Sequence, residues 1–296
     1  MQDVYPSRGL EEKIIKRPDA TVYSDKSFGQ QSFDNAQRKQ YEENGFIVIP
    51  NIFGADEIEK LLEDIDIMAS DEALLRKEEF ISEPNNDSLR SIFNQHIFSS
   101  AFEKISKDSR ILDKVQQLLG GDVYIYHTRI NIKPAYTGKS FPWHSDFETW
   151  HCEDGLPRGR TLTAWIMLTD NTHFNGPLYV IPGSHKSFVS CKGITPADNY
   201  KNSLKKQEYG VPSVDAIKHL LKNKEIVAAL GKAGTLVLHD GNLMHGSPDN
   251  ISPNSRTNAS FVYNSIYNKP TEPFGAPTTR ADFLCLNDYA PVRAEK

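Results

Sequence analysis

Two periodicities divide the chain near Gly121. Before it, apolar residues recur at helical spacing: ADEIEKLLEDIDIMA, from Ala55, places Ile58, Leu61, Leu62, Ile65 and Ile67 largely on one face, and SRILDKVQQLL ends at Gly120-Gly121. A stripe recurring every three or four residues is what a surface helix buries, and glycine accepts the left-handed backbone that closes it. Ser32 or Asp34 can cap a further helix running to Glu43, with Gly45 ending it. After Gly121 the period shortens to two. VYIYHTRINIKP, RTLTAWIMLTD, GPLYVIPGS, GTLVLHDG and RTNASFVYNSIYN are β-branched and aromatic runs separated by Gly, Pro, Asn and Asp, the signature of strands.

Short strands without the spacing of βαβ units predict an antiparallel sandwich or jelly roll, mainly β with flanking helices. One domain over 1–296 is expected, in three parts. Residues 1–33 read as an extended arm, 34–120 as mainly helical, and 121–270 as the jelly-roll core, interrupted by a long polar insertion at 186–212 of the kind that forms lids. A helix, SVDAIKHLLKN, follows the insertion.

Composition narrows the partners. The net charge is -5 with a pI near 6.0, so no broad basic field recommends nucleic acid or anionic membrane, and a small-molecule substrate is expected. The first twenty residues carry charges where a signal peptide needs an apolar run, and no stretch approaches the ~20 apolar residues of a membrane span. Cys152, Cys191 and Cys285 are scattered and never form a CxxC pair. These features point to the reducing cytoplasm, without a disulfide framework or a thiolate zinc cluster.

The candidate chemistry lies in FPWHSDFETWHCEDGLP, residues 141–157. If FPWHSDF is extended, His144 and Asp146 leave one face of the strand while Ser145 points away. A third ligand is available at His245, in NLMHGS, where the following glycine permits close backbone approach. Two imidazoles and a carboxylate on one face form the facial triad of non-haem Fe(II) oxygenases. HxD also occurs by chance, and a histidine near a strand end is usually just hydrogen-bonded. Arg256 shifts the balance: eleven positions after His245, at the start of a predicted strand, its guanidinium can pair with the far carboxylate of 2-oxoglutarate. Two histidines and a carboxylate would equally bind Zn²⁺ in a hydrolase, and a non-catalytic binding protein on the same barrel is a third possibility. No HExxH helix supports the hydrolase, and Arg256 would have no purpose in it.

HSDFETWHCEDGLPR, FNGPLYVIPGSH, CKGITPADNYKNSLKKQEYGVP and MHGSPDNISPNSRTN, together with DVYPSR and KRPDATVYSD in the arm, resemble the ectoine hydroxylases, a branch of the phytanoyl-CoA dioxygenase family of Fe(II)/2-oxoglutarate enzymes. The resemblance covers most of the chain. It implies a double-stranded β-helix, cupin-like core, with Fe(II), 2-oxoglutarate and O2 as the reacting partners, ascorbate as a supporting reductant, and a homodimer left open as the assembly. It assigns His144, Asp146 and His245 to iron, Arg256 to the distal carboxylate of 2-oxoglutarate, and Ser247 and Asn131 to further contacts with that co-substrate. Arg129, Trp150 and Asn258 match positions holding the hydroxylated ring. Halogenases of this family lack the carboxylate ligand, so Asp146 implies hydroxylation.

Departures from the pattern bear on the substrate. YHTRIN places His127 where the ectoine enzymes have glutamine, and TLTAWIML places Trp165 where they have serine. His127 can become cationic near neutral pH, and an inward Trp165 would fill pocket volume. The substrate expected from these changes is a small, polar, nitrogen-rich ring. A specialised metabolite such as a guanidino alkaloid of the cylindrospermopsin type is slightly favoured over ectoine itself. Glu148, Glu153 and Asp154 would lend the entrance negative charge, His239 is a decoy ligand, and His151, Cys152 and His185 read as structural.

Overall fold

The computed structural model describes residues 3–24, 32–83 and 88–294. In chain order its elements are β1 (Lys13–Lys16), α1 (Asn35–Asn44), β2 (Phe46–Ile49), α2 (Ala55–Ser70), β3 (Phe80–Ser82), β4 (Leu89–Phe93), α3 (Gln95–Phe98), α4 (Ser100–Ser106) and α5 (Ser109–Leu119). There follow β5 (Val123–Lys133), β6 (Phe141–His144), α6 (Asp146–Asp154), β7 (Thr161–Met167), β8 (Leu178–Val180), β9 (Ser187–Ser190), α7 (Tyr200–Ser203), α8 (Val214–Leu220), β10 (Val227–Ala229), β11 (Leu236–Asp240), β12 (His245–Ser247) and β13 (Arg256–Ser265). The expected boundary at Gly121 is blurred, because β2, β3 and β4 precede it and belong to the large sheet. Asp34 rather than Ser32 caps α1, in a capping box with Gln37, and Gly45 ends it at φ 80°. Along α2, Ile58, Leu61 and Ile65 are buried, while Ile67 is 66% exposed. It lies off the stripe.

The strands form a seven-stranded sheet, ordered β2-β11-β7-β13-β5-β4-β3, and a four-stranded sheet, β10-β8-β12-β6. All their pairings are antiparallel. Phe46, Met167 and Val237 of the large sheet pack with Leu178, Val180 and Ala229 of the small one, which gives the double-stranded β-helix core.

Alternation assigns the large sheet's two faces. Leu162, Ala164 and Ile166 of β7, Ala259 and Phe261 of β13, and Leu236 and Leu238 of β11 join one core with Leu61 and Ile65 of α2 and Ile111, Val115 and Leu118 of α5. Their neighbours in sequence face the barrel interior in rows fixed by register. His239, Thr163, Val262 and His127 form one row; Trp165, Ser260, Arg129 and Phe93 the next; Met167, Asn258, Asn131 and Ser91 the third. The interior face is polar because it is the face that binds.

The arm is tied down: β1 pairs with β9, and Tyr5, Arg8 and Arg17 are buried. No helix among the described residues is long and apolar enough to cross a membrane.

Candidate metal centre

β6 stops at His144 and the chain turns through Ser145, the N-cap of α6, so Asp146 is the first residue of a helix. The expectation that His144 and Asp146 share a strand face is therefore corrected. They converge because a strand end meets a helix start, with Ser145 hydrogen-bonded to Asn242 at 3.1 Å. Antiparallel pairing of β12 with β6 sets His245 directly opposite His144. Gly246 permits this approach: a Cβ there would lie 3.2 Å from the Phe141 carbonyl and 3.3 Å from the Trp143 amide.

Asp146 Oδ1 lies 3.6 Å from His144 Nε2 and 3.8 Å from His245 Nε2. One donor atom from each of the three residues fits within a 4.8 Å spread. Each Nδ1 faces a carbonyl, Pro142 O at 2.8 Å for His144 and Leu243 O at 2.9 Å for His245. A carbonyl only accepts, so Nδ1 carries the proton and the Nε2 lone pair is left for a metal. Burial, then the neighbouring His144, pulls His245 down to about 3. Burial pushes the Asp146 carboxyl up, but the His245 and His144 imidazoles outweigh it and hold it well below the usual carboxylate range. The set is two imidazoles and one carboxylate, the donors that suit Fe(II).

Next to it lies a basin of buried cations. Arg256 is 1% exposed and no acidic side chain pairs with it among the described residues. Its Nη2 donates to Asn131 Oδ1 at 2.8 Å, while its Nε and the Asn131 Nδ2 have no partner. Burial, then Arg129 and Arg90, pulls it down to about 9. Arg129 is held down to about 9 by burial and by Arg90. It rests on the Ser91 hydroxyl at 2.8 Å and over the Phe141 ring at 4.9 Å. Lys133, lowered to about 6 by burial and by Arg256, donates only to the Lys139 and Pro248 carbonyls. Of these four side chains, Arg90 is the one paired with a carboxylate among the described residues, Glu83 at 2.9 Å. Crowded, mutually repelling cations with unsatisfied donors fit an anionic ligand such as a dicarboxylate.

Arg129, Asn131, Ser247, Trp150, His127 and Trp165 line one cavity with the triad. Trp150 is 2% exposed and meets His127 edge to face at 5.7 Å. Asn258 and Arg256 are both buried and absent from the cavity wall, which Arg256 meets through Asn131. With the Asn258 amide turned to satisfy its neighbours, its oxygen accepts from Arg256 Nη1 at 2.7 Å and Trp165 Nε1 at 2.6 Å.

A family model described as Phytanoyl-CoA dioxygenase (PhyH) matches residues 41–258. The chain belongs to this family. It is 45% identical over 273 residues to an ectoine dioxygenase of Bordetella parapertussis, covering 92% of this chain and 88% of that protein. The crystal structure of EctD from S. alaskensis with 2-oxoglutarate and 5-hydroxyectoine superposes with a TM-score of 0.90 at 38% identity, covering 99% of this chain and 98% of that one. The same enzyme with bound Fe gives 0.88, again at 38% identity and the same coverage. This phytanoyl-CoA dioxygenase family member is a non-haem iron, 2-oxoglutarate-dependent dioxygenase, and iron and 2-oxoglutarate are its cofactor and co-substrate.

Other expectations change within this dioxygenase. His127 is not cationic at neutral pH: burial, then Arg280, lowers it to about 4. Its Nδ1 faces the Leu284 carbonyl at 3.3 Å. Trp165 faces inward as one alternative required, yet its indole is tied to Asn258 rather than free in the cavity. The acidic entrance does not exist, because Glu148, Glu153 and Asp154 are all buried. Arg8 pairs with the first two, and Arg280 with the third. His239 lies 5.1 Å from the His245 ring but outside the triad. His185 and His151 are buried and bonded to backbone carbonyls.

Sequence reasoning did not single out Phe141, Phe93, Arg280 and Leu284, which also line the cavity. Phe141 stood in the quoted motif and its apolar position beside His144 was a usable signal. Arg280 had none, since only the fold brings it to Asp154.

Proposed function

We propose that the chain hydroxylates ectoine at an iron centre held by His144, Asp146 and His245. The observation that carries this reading is a pair of guanidiniums without a carboxylate partner among the described residues, Arg129 on the cavity wall with the triad and Arg256 behind that wall, bonded to its Asn131. Two anionic groups are called for. Arg256, with Asn131 and Ser247, would take the distal carboxylate of 2-oxoglutarate, whose keto acid end reaches the metal. Arg129 would take the carboxylate of the substrate. When bound, iron and 2-oxoglutarate would let O2 serve as the oxidant, one oxygen atom entering succinate as CO2 is lost and the other entering a C–H bond of the substrate.

The protein's own groups position the ring. The Trp150 face suits a delocalised amidinium. Neutral His127, its Nδ1–H directed at the Leu284 carbonyl, offers Nε2 as an acceptor for a ring N–H, which an amide oxygen would otherwise provide. Ser203, Leu204 and Gln207 of the insertion reach the same cavity and would exclude water. A neutral His127 removes one ground for preferring a guanidino alkaloid, and the ectoine dioxygenase relatives support ectoine.

The test is a panel of nitrogen-rich ring metabolites incubated with protein, Fe(II), ascorbate and 2-oxoglutarate and read by mass spectrometry. Ectoine should gain one oxygen with stoichiometric succinate. Unchanged ectoine alongside an oxygenated alkaloid would reverse the preference.

A further inference from the structure

Arg8, in the arm, is 140 positions from the helix it touches. Its side chain is fully shielded from solvent. Nε reaches Glu148 Oε1 at 2.9 Å and Nη2 reaches Oε2 at 2.7 Å, a two-point fork, while Nη1 reaches Glu153 Oε1 at 2.5 Å and Thr195 Oγ1 at 3.1 Å. Both carboxylates belong to α6, which begins with Asp146 and carries Thr149 and Trp150 to the cavity wall.

The same knot holds the insertion. Glu148 accepts from the Cys191 amide at 3.2 Å, and Glu153 accepts from Asn199 Nδ2 at 3.0 Å. Gly210 packs so closely that a Cβ there would meet Arg8 Nη2 at 2.6 Å. Glu12 of the arm fastens the far end, accepting from the Ser213 amide at 2.7 Å and hydroxyl at 2.6 Å. Between these anchors the insertion sends Ser203, Leu204 and Gln207 over the metal site.

We infer that Arg8 is a positioning residue for hydroxylation, locking the insertion, as the cavity's roof, onto the helix that carries Asp146 and Trp150. This rests on those two residues serving iron and substrate as proposed above. The arm thereby sets both roof closure and the placement of substrate against the metal. A two-point fork and a third bond from Nη1 make arginine, not a generic cation, the residue the knot requires.

The experiment uses the full chain with Arg8→Lys, Arg8→Met and Glu12→Ala. Glu12→Ala loosens the far anchor at a half-buried position, so it reports even where Arg8→Met fails to fold. Three quantities are compared: KM for 2-oxoglutarate, KM for substrate, and hydroxylated product formed per succinate. A misplaced substrate costs orders of magnitude in rate, so Arg8→Met should lower product per succinate by roughly tenfold. Arg8→Lys and Glu12→Ala should lower it less. Substrate KM should rise in all three and KM for 2-oxoglutarate stay within about twofold, because Arg256 is untouched. The inference is overturned if folded variants keep the wild-type ratio and substrate KM, losing only active fraction. Failure of wild-type protein to develop the weak visible band with Fe(II) and 2-oxoglutarate under anaerobic conditions would instead overturn the metal assignment.

Discussion

Asn258→Ala separates the substrate role implied by family resemblance from the support role shown by the fold. In the fold its oxygen receives three donors, Arg256 Nη1, Trp165 Nε1 and Asn171 Nδ2, and it does not reach the cavity. Alanine leaves the Arg256 and Trp165 donors without this acceptor. An unsatisfied buried donor costs about 1–3 kcal/mol. Two of them give roughly 2–6 kcal/mol, some of it relieved as Trp165 shifts. A thermal or urea midpoint should register that loss.

The kinetic signature is more specific. Arg256 would keep its Asn131 bond but lose the contact that fixes the second arm of its fork. If between a quarter and a half of the penalty falls on the bound state, about 0.5–3 kcal/mol, KM for 2-oxoglutarate rises roughly twofold to a hundredfold, since ~1.4 kcal/mol is a factor of ten. Substrate KM at saturating 2-oxoglutarate should move no more than about twofold. Steady-state assays with each ligand varied in turn, restricted to the folded fraction, measure both. The opposite pattern, a selective rise in substrate KM, would refute the reasoning and return Asn258 to the substrate.

Four further outcomes are expected. Asp146→Ala should abolish substrate-dependent succinate formation, because the carboxylate is the anionic member of the donor set; retained hydroxylation would remove it from the metal. Arg129→Met should raise substrate KM about tenfold to a hundredfold, the range for a charge-assisted bond of ~1.5–3 kcal/mol, while slow substrate-independent succinate formation persists; an equal loss of both would place Arg129 on the co-substrate. Trp165→Ser should raise KM for 2-oxoglutarate rather than widen substrate range, and improved ectoine turnover would contradict the tether to Asn258. Burial holds His127 and His185 at about 4, below the ~6.5 of an exposed imidazole. Their contribution is therefore intact above pH 6.5 and is lost toward pH 4, by up to ~1.4 kcal/mol per pH unit for each ring. A urea midpoint that does not move between pH 6.5 and 4.5 in metal-free protein would argue against it.

What the sequence made legible follows from what each signal encodes. Period-two and period-three-to-four patterns record which face is dry, so α2, α5, β5, β7, β11 and β13 were readable from the chain. HxD and the distal His245 were readable as a pattern, yet the reason offered, one strand face, was wrong, because Ser145 starts a helix. Backbone geometry over three residues is decided by the caps and loops around it, which composition does not encode. The fates of Glu148, Glu153 and Asp154 show the larger difficulty. Three carboxylates within seven residues look like a solvated loop until Arg8 and Arg280 arrive from opposite ends of the chain.

The same reasoning explains why residue roles in the barrel shift by a row. Register, not sequence proximity, decides that Asn258 stands beside Asn131 and Met167, while Ser260 stands beside Arg129 and Trp165. In the third row Asn258 and Asn131 bond Arg256; the second, one pleat along, lines the cavity with Trp165, Ser260, Arg129 and Phe93. A motif match carries Asn258 to the substrate because Arg129 and Trp150 are there. The pleat carries it back to Arg256, and the kinetic split between the two ligands decides between them.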